Sequence, residues 1–159
     1  MIKKIICLIC IICMIGCTTV HTAASGFSVV DSEPSTIQSV IQLDSGDCII
    51  ISDPIIISVQ RGVVSGEKYY SYKNSDGVVQ WRATLSGTFS YNGSSATCTA
   101  ASCVTSVQHG NWSESYNHAY PSGGTAQADV TMIRKVLFIT VQTENVHLVL
   151  TCDANGNLS

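Results

Sequence analysis

The sequence predicts an all-β domain: an antiparallel β-sandwich, with the immunoglobulin-like arrangement as the candidate topology and disulfides as staples. Three observations carry this expectation: a period-two apolar pattern over residues 78–91, a strong turn signal at Asn92-Gly93, and several short β-rich runs separated by turn residues. In VVQWRATLSGTFSY, Val79, Trp81, Ala83, Leu85, Phe89 and Tyr91 share one side, while Gln80, Arg82, Thr84, Ser86, Thr88 and Ser90 share the other. That alternation marks a strand with one buried and one wet face.

Asn92 and Gly93 both tolerate the positive φ of a type I′ turn. A two-residue turn there sets Phe89 opposite Ala96, Gly87 opposite Cys98 and Leu85 opposite Ala100, so Cys98 points inward. The same reasoning with a turn at Glu144-Asn145 sets Val141 opposite Leu148, Ile139 opposite Leu150 and Leu137 opposite Cys152, which also points inward. Further strands are expected at residues 48–51, 55–60, 67–73 and 125–133, with turns at residues 74–77 and 122–124. Ser52-Asp53-Pro54 lies between two isoleucine triplets and predicts a kink carrying the chain from one sheet to the other, since proline cannot donate to a central ladder. The one helical signal is a capping-box pattern, Ser35 with Gln38, ahead of Val40 and Ile41.

The chain opens MIKKIICLICIICMIGC, with Lys3 and Lys4 ahead of an apolar run over residues 5–15. This is the pattern of an export signal, and it falls short of the roughly 20 apolar residues that a membrane helix needs. Two processing routes are open. Thr22-Ala23-Ala24 suits ordinary cleavage before Ser25, which releases a secreted protein and is the expectation; Met14-Ile15-Gly16-Cys17 resembles a lipobox, which would acylate Cys17 and hold the protein on the outer face of the cytoplasmic membrane. Cys7, Cys10, Cys13 and Cys17 otherwise recur at helical spacing as small hydrophobes of the leader. From Ser25 the chain is long enough for one domain, read as a lead-in at residues 25–47 and a sandwich at residues 48–159. That part carries six Lys and Arg against eleven Asp and Glu, scattered rather than blocked, which argues against nucleic-acid binding.

In an exported protein Cys48, Cys98, Cys103 and Cys152 are expected as disulfides. Cys98 and Cys103 on one continuing strand would stand roughly 16 Å apart, beyond the ~7 Å that a bridge spans. Inward placement favours Cys98 with Cys152, leaving Cys48 with Cys103.

Catalytic and metal signatures are absent: no GxSxG, P-loop, HExxH or paired Cys knuckles occur. His109, Glu114 and His118 in HGNWSESYNH are the only group worth weighing as an acid/base or metal cluster, and they read as polar loop residues; His147 reads as outward-facing on its strand. The turns around Asp44 and Asp153 lack EF-hand spacing. No cofactor and no catalytic activity are expected. The aromatics remain. Tyr70 and Tyr72 share a strand face, and Trp112, Tyr116 and Tyr120 crowd one loop, so these five are the candidates for a ligand face that stacks on sugar rings, against the alternative that they pack as core and loop lid. The expected partner is a protein or glycan at the cell exterior.

The segments KNSDGVVQWRATLSGTFSYNGSSATCT and HLVLTCDANGNLS, with SGGTAQA between them, resemble small exported proteins of Gram-positive gut bacteria, a group without an assigned activity. The resemblance implies that Cys98 and Cys152 are the usual pair and that Cys48 and Cys103 are additions. It implies no binding residue.

Overall fold

The computed structural model describes residues 36–159, which form nine strands; the expected export leader, its candidate cleavage sites and Cys17 lie outside the described residues. In chain order the strands are β1 (Ile37–Gln42), β2 (Cys48–Ser52), β3 (Ile55–Gln60), β4 (Val63–Lys73), β5 (Val79–Tyr91), β6 (Ala96–Val107), β7 (Trp112–Ser122), β8 (Thr125–Val136) and β9 (Ile139–Thr151). Two antiparallel sheets pack together. The larger has the order β1-β2-β4-β5-β6 with β3 also on β4, and the smaller is β7-β8-β9. Each is a run of neighbouring hairpins, so the strands do not exchange between sheets as the immunoglobulin arrangement requires.

Residues 37–42 of the segment with the capping-box pattern are strand, not helix, while Ser35 lies outside the described residues. Val40 and Ile41 of β1 pair with Ile50 and Ile49 of β2, so β-branched residues with a ready partner strand override a short local helix signal. This pairing also draws part of the expected lead-in into the sheet. The proline break behaves differently from the expected sheet-to-sheet kink. Ile51 pairs with Tyr70 and Ile55 with Glu67, so β2 and β3 are two pieces of one edge along β4, interrupted at Asp53-Pro54. Ser52 fills the gap in the ladder: its buried hydroxyl accepts from the Tyr69 N–H at 3.0 Å.

The β5–β6 connection is four residues long, which moves the register by two. Asn92 Oδ1 accepts from the N–H groups of Ser94 and Ser95 at 2.9 and 3.0 Å, and Tyr91 pairs with Ala96 instead of Ser94. A shift of two keeps the faces. Cys98 therefore still points inward, opposite Phe89. A bulge at Thr99 then slips the register by one, so Ala100 pairs with Thr88 and Cys103 comes opposite Leu85, on the same inner side as Cys98.

The last hairpin turns at Leu137-Phe138, and Glu144 and Asn145 lie within β9. The register is chosen by the inward faces: Ala126 meets Leu150, Ala128 meets Leu148 and Val130 meets Val146, which buries the first five and packs the partly buried Val146 against them. Cys152 directly follows this strand, buried and bridged to Leu158, and not opposite Leu137.

The core is continuous between the sheets. Tyr72 stacks on Trp81 with ring centroids 5.3 Å apart, and Trp112 meets both edge-on at 5.1 and 6.2 Å. Leu85, Phe89, Met132, Leu148 and Leu150 are fully buried beside them. Gly87 makes room for Phe89, since a Cβ there would lie 2.7 Å from that ring and 3.0 Å from the Ala126 methyl.

The four cysteines among the described residues, Cys48, Cys98, Cys103 and Cys152, are free thiols. Cys48 on β2 and Cys103 on β6 have β4 and β5 between them, roughly 14 Å at about 4.8 Å per strand, so that bridge is ruled out by the sheet order. Cys98 and Cys152 lie on either side of Gly123-Gly124, their N–H groups donating to the carbonyls of Gly123 and Gly124 at 2.6 and 2.9 Å, yet their sulfurs are not bonded. Tyrosines make the cross-sheet ties instead. The Tyr70 hydroxyl donates to the Val149 carbonyl at 3.1 Å and accepts from the Val149 N–H at 3.0 Å, satisfying the open edge of β9. The Tyr72 hydroxyl donates to Asp47 and accepts from Gln142 Nε2 of β9 at 2.7 Å.

Candidate functional site

The segment read as a loop, WSESYNHAYPS, is β7, and a bulge inside it decides which face its aromatics take. Trp112 points into the core. With unbroken alternation Tyr116, His118 and Tyr120 would follow it inward. Between Glu114 and Tyr116 the register slips, leaving Ser115 unpaired, and the three rings emerge on the outer face while the half-buried Asn117 and Ala119 take the inner one. A bulge re-aims side chains in this way.

The rings form a row at every second residue. Tyr116 and His118 have centroids 6.4 Å apart, and His118 stacks with Tyr120 at 5.4 Å with an interplanar angle of 25°. Pairing carries the face across the sheet: His118 is level with Asp129 and His147, and Tyr116 with Thr131 and Asn145. Tyr116, Asp129, Thr131, Asn145 and His147 line a shallow open depression.

Asp129 organises the polar part. Its Oδ1 lies 2.7 Å from His147 Nδ1, and the Tyr120 hydroxyl donates to its Oδ2 at 3.3 Å. The His147 hydrogen bond holds the Asp129 carboxyl below its ordinary range, with further help from Tyr120 and the nearby His118. An ionised carboxylate only accepts, so Nδ1 of His147 carries the proton and Nε2 is the ring's open position. The Tyr120 phenol is pushed up, first by loss of solvation and then by the Asp129 charge. Next to this pair, the Thr131 hydroxyl donates to Asn145 Oδ1 at 2.8 Å.

The five aromatics singled out from the sequence therefore divide. Tyr70, Tyr72 and Trp112 are buried, because their alternation puts them on the inner face where the second sheet covers them, and they offer no ligand surface. Tyr116 and Tyr120 do lie together on an outer face. Asp129, Thr131 and Asn145 complete the face and were not singled out; the alternation AQADVTM, with Ala126, Ala128, Val130 and Met132 inward, is the signal that exposes the polar residues between them. His147 is outward, as its strand pattern implies.

The group His109, Glu114 and His118 does not assemble. Glu114 is turned toward β6, where its carboxylate accepts from Thr105 at 2.6 Å, and it also accepts from Asn117 of its own strand at 2.9 Å. His118 is on the outer face of β7, and His109 is in the turn before it, its N–H bonded to the Gln80 carbonyl at 3.1 Å. Among the described residues no three His, Cys, Asp or Glu side chains converge as a metal site. A second depression crosses the outer face of the larger sheet at Ser65, Glu67, Ser86, Thr88 and Ser102. Its polar groups are largely spent on one another, Ser65 with Thr88 at 2.9 Å and Ser86 donating to Glu67 at 3.0 Å.

No protein family, characterised protein or solved structure matches this chain.

Proposed function

We propose that this chain is an exported, non-enzymatic β-sandwich that binds carbohydrate on the outer face of β7, β8 and β9. The observation that carries the reading is the outward row Tyr116, His118 and Tyr120 beside the Asp129–His147 pair. Flat rings present the apolar surface that the C–H face of a sugar stacks on, and the carboxylate, imidazole and Asn145 amide offer donors and acceptors at hydroxyl height. The row across β7, β8 and β9 holds one carboxylate, whereas glycoside cleavage ordinarily uses a pair, which favours binding over hydrolysis. Export rests on Lys3, Lys4 and the apolar run that follows them.

The test is a glycan array probed with the wild-type chain and with Tyr116→Ala. Tyr116 is 52% exposed, so its truncation leaves the core intact. Binding to a defined set of glycans, weakened roughly tenfold or more in the variant as for loss of a stacking aromatic, supports the reading. A wild-type chain that binds no host or bacterial glycan removes it and leaves a protein partner. Intact-mass analysis of the exported chain decides the release route: an N-terminal Ser25 marks secretion and an acylated Cys17 marks anchoring.

A further inference from the structure

The β8–β9 hairpin ends in a tip whose chemistry neither the core nor the turn requires. Val136 pairs with Ile139, so Leu137 and Phe138 are the two central residues of a tight turn, with φ of 48° and 68°. Both values lie in the left-handed region, where Asn and Gly are the usual occupants and side chains such as Leu and Phe are rare. Each is also laid open to water: Leu137 is 85% and Phe138 98% exposed, with Ile139 at 68% and Val141 at 51%. Arg134 still pairs with Trp112 of β7 and the Lys135 N–H bonds to the Asn111 carbonyl at 3.0 Å, but residues 136–141 beyond them are exposed on both faces, so the end of the hairpin stands clear of the sandwich. Unfavourable backbone and unfavourable exposure coincide at the same two residues, and neither gains any contact within the domain that would offset them.

The flanking charges indicate what the tip meets. Arg134 and Lys135 are two of only six Lys and Arg in residues 36–159, a segment with nine Asp and Glu, and they stand next to each other at the base of the tip. Lys135 is two residues from the apex, about 7 Å at ~3.3 Å per residue. That matches the roughly 5 to 10 Å by which interfacial segments enter the boundary between headgroups and acyl chains. A narrow convex finger needs a soft apolar medium around it, not a flat complementary surface. We propose that the hairpin tip inserts into the interface of an anionic lipid bilayer, with Leu137 and Phe138 among the upper acyl carbons and Arg134 and Lys135 at the phosphates. Asp44, Asp47 and Asp76 lie on the turns at the same end of the sandwich, as the Tyr72 hydroxyl links Asp47 to Gln142 of β9. They keep the rest of that rim out of the lipid, so insertion is confined to the tip. The inference does not rest on the carbohydrate face.

The test uses the full chain carrying Phe138→Trp, with vesicles of phosphatidylcholine alone or mixed equally with phosphatidylglycerol, the acyl chains brominated in parallel samples. Trp81 and Trp112 are buried, so the new indole reports on the tip. The expected result is a blue shift and bromine quenching on the mixed vesicles, requiring roughly tenfold more lipid on phosphatidylcholine alone or after Arg134→Glu with Lys135→Glu. Equal response on both vesicle types, or water-like emission on all of them, overturns the proposal. A blue shift without lipid that grows with protein concentration also overturns it, in favour of a second copy covering the tip. A second variant, Leu137→Asn with Phe138→Gly, installs the preferred turn pair and is expected to keep or raise Tm while losing co-sedimentation attributable to the tip; a fall in Tm would show that the apex serves the fold and would overturn the proposal as well.

Discussion

Replacing Tyr72 by Phe removes one hydroxyl and leaves the ring that stacks on Trp81. That hydroxyl joins three elements: it donates to Asp47 in the β1–β2 turn, accepts from Gln142 of β9 at 2.7 Å, and belongs to β4 itself. Asp47 keeps a second support, the Ser75 N–H at 2.9 Å. A hydrogen bond to a charged group contributes roughly 1.5 to 3 kcal/mol; Asp47 is only half-buried and water can replace the lost donor, so the low end applies, about 1.5 kcal/mol at neutral pH or about 5 °C in Tm. The pH dependence is the sharper readout. Burial opposes ionisation of Asp47, but the hydrogen bonds from Tyr72, Ser45, Ser75 and Gln142 outweigh it and hold the carboxyl below its ordinary value of 3.8. Burial raises the Tyr72 phenol, and its bond to Asp47 raises it further, so it remains a donor across the working range. A carboxyl with a depressed folded pKa contributes stability above its unfolded value and loses it as pH falls through the folded value. The loss caused by Tyr72→Phe should therefore shrink as the pH is taken from neutral to below the depressed folded value of Asp47, where a protonated carboxyl no longer rewards the donor. Urea denaturation of wild type, Tyr72→Phe, Asp47→Asn and the double variant at both pH values measures this. An equal loss at the two pH values, or a double variant in which the separate losses simply add, would refute the link.

Two further outcomes follow from named contacts. Ser52→Ala should destabilise by about 1 to 3 kcal/mol, because it strands the Tyr69 N–H at the proline break; a loss below roughly 0.5 kcal/mol in urea denaturation would mean that the gap is closed some other way. Burial, aided by the Glu114 charge, pushes the Cys103 thiol up to about 11, so at pH 8 its alkylation should be roughly 100-fold slower in the folded chain than in urea, and should climb close to tenfold per pH unit up to pH 10. A plateau near pH 9 by peptide mass spectrometry would contradict it. The sign for stability agrees: a raised thiol favours the fold below its unfolded value and loses that contribution as pH rises toward 11.

Much of the architecture was legible as local pattern. The period-two run locates β5, the β-rich runs between turn residues locate β2, β3 and most of β8, and the inward facing of Cys98 survives because the connection before it moved by an even number of residues. The candidate face was half legible. Tyr116 and Tyr120 were visible as aromatics two strand periods apart, but a loop reading hid their shared face with His118, and Trp112 and Tyr116 could not be separated without the bulge at Ser115.

Alternation, turn chemistry and charge are properties of neighbouring residues, so the sequence alone determined the β class, most strand positions, the acidic balance and the leader pattern. Partner choice is a property of residues far apart in the chain, and only the tertiary structure decided it. The turn at Leu137-Phe138 displaced the one expected at Glu144-Asn145 because it lines up Ala126, Ala128 and Val130 with Leu150, Leu148 and Val146, an apolar match that no local turn preference records. The Cys48–Cys103 bridge failed because two strands came between them. Tyr70 and Tyr72 became ties to β9 for the same reason: the opposing sheet places Val149 and Gln142 within reach of their hydroxyls, and burial there outweighs exposure to a ligand.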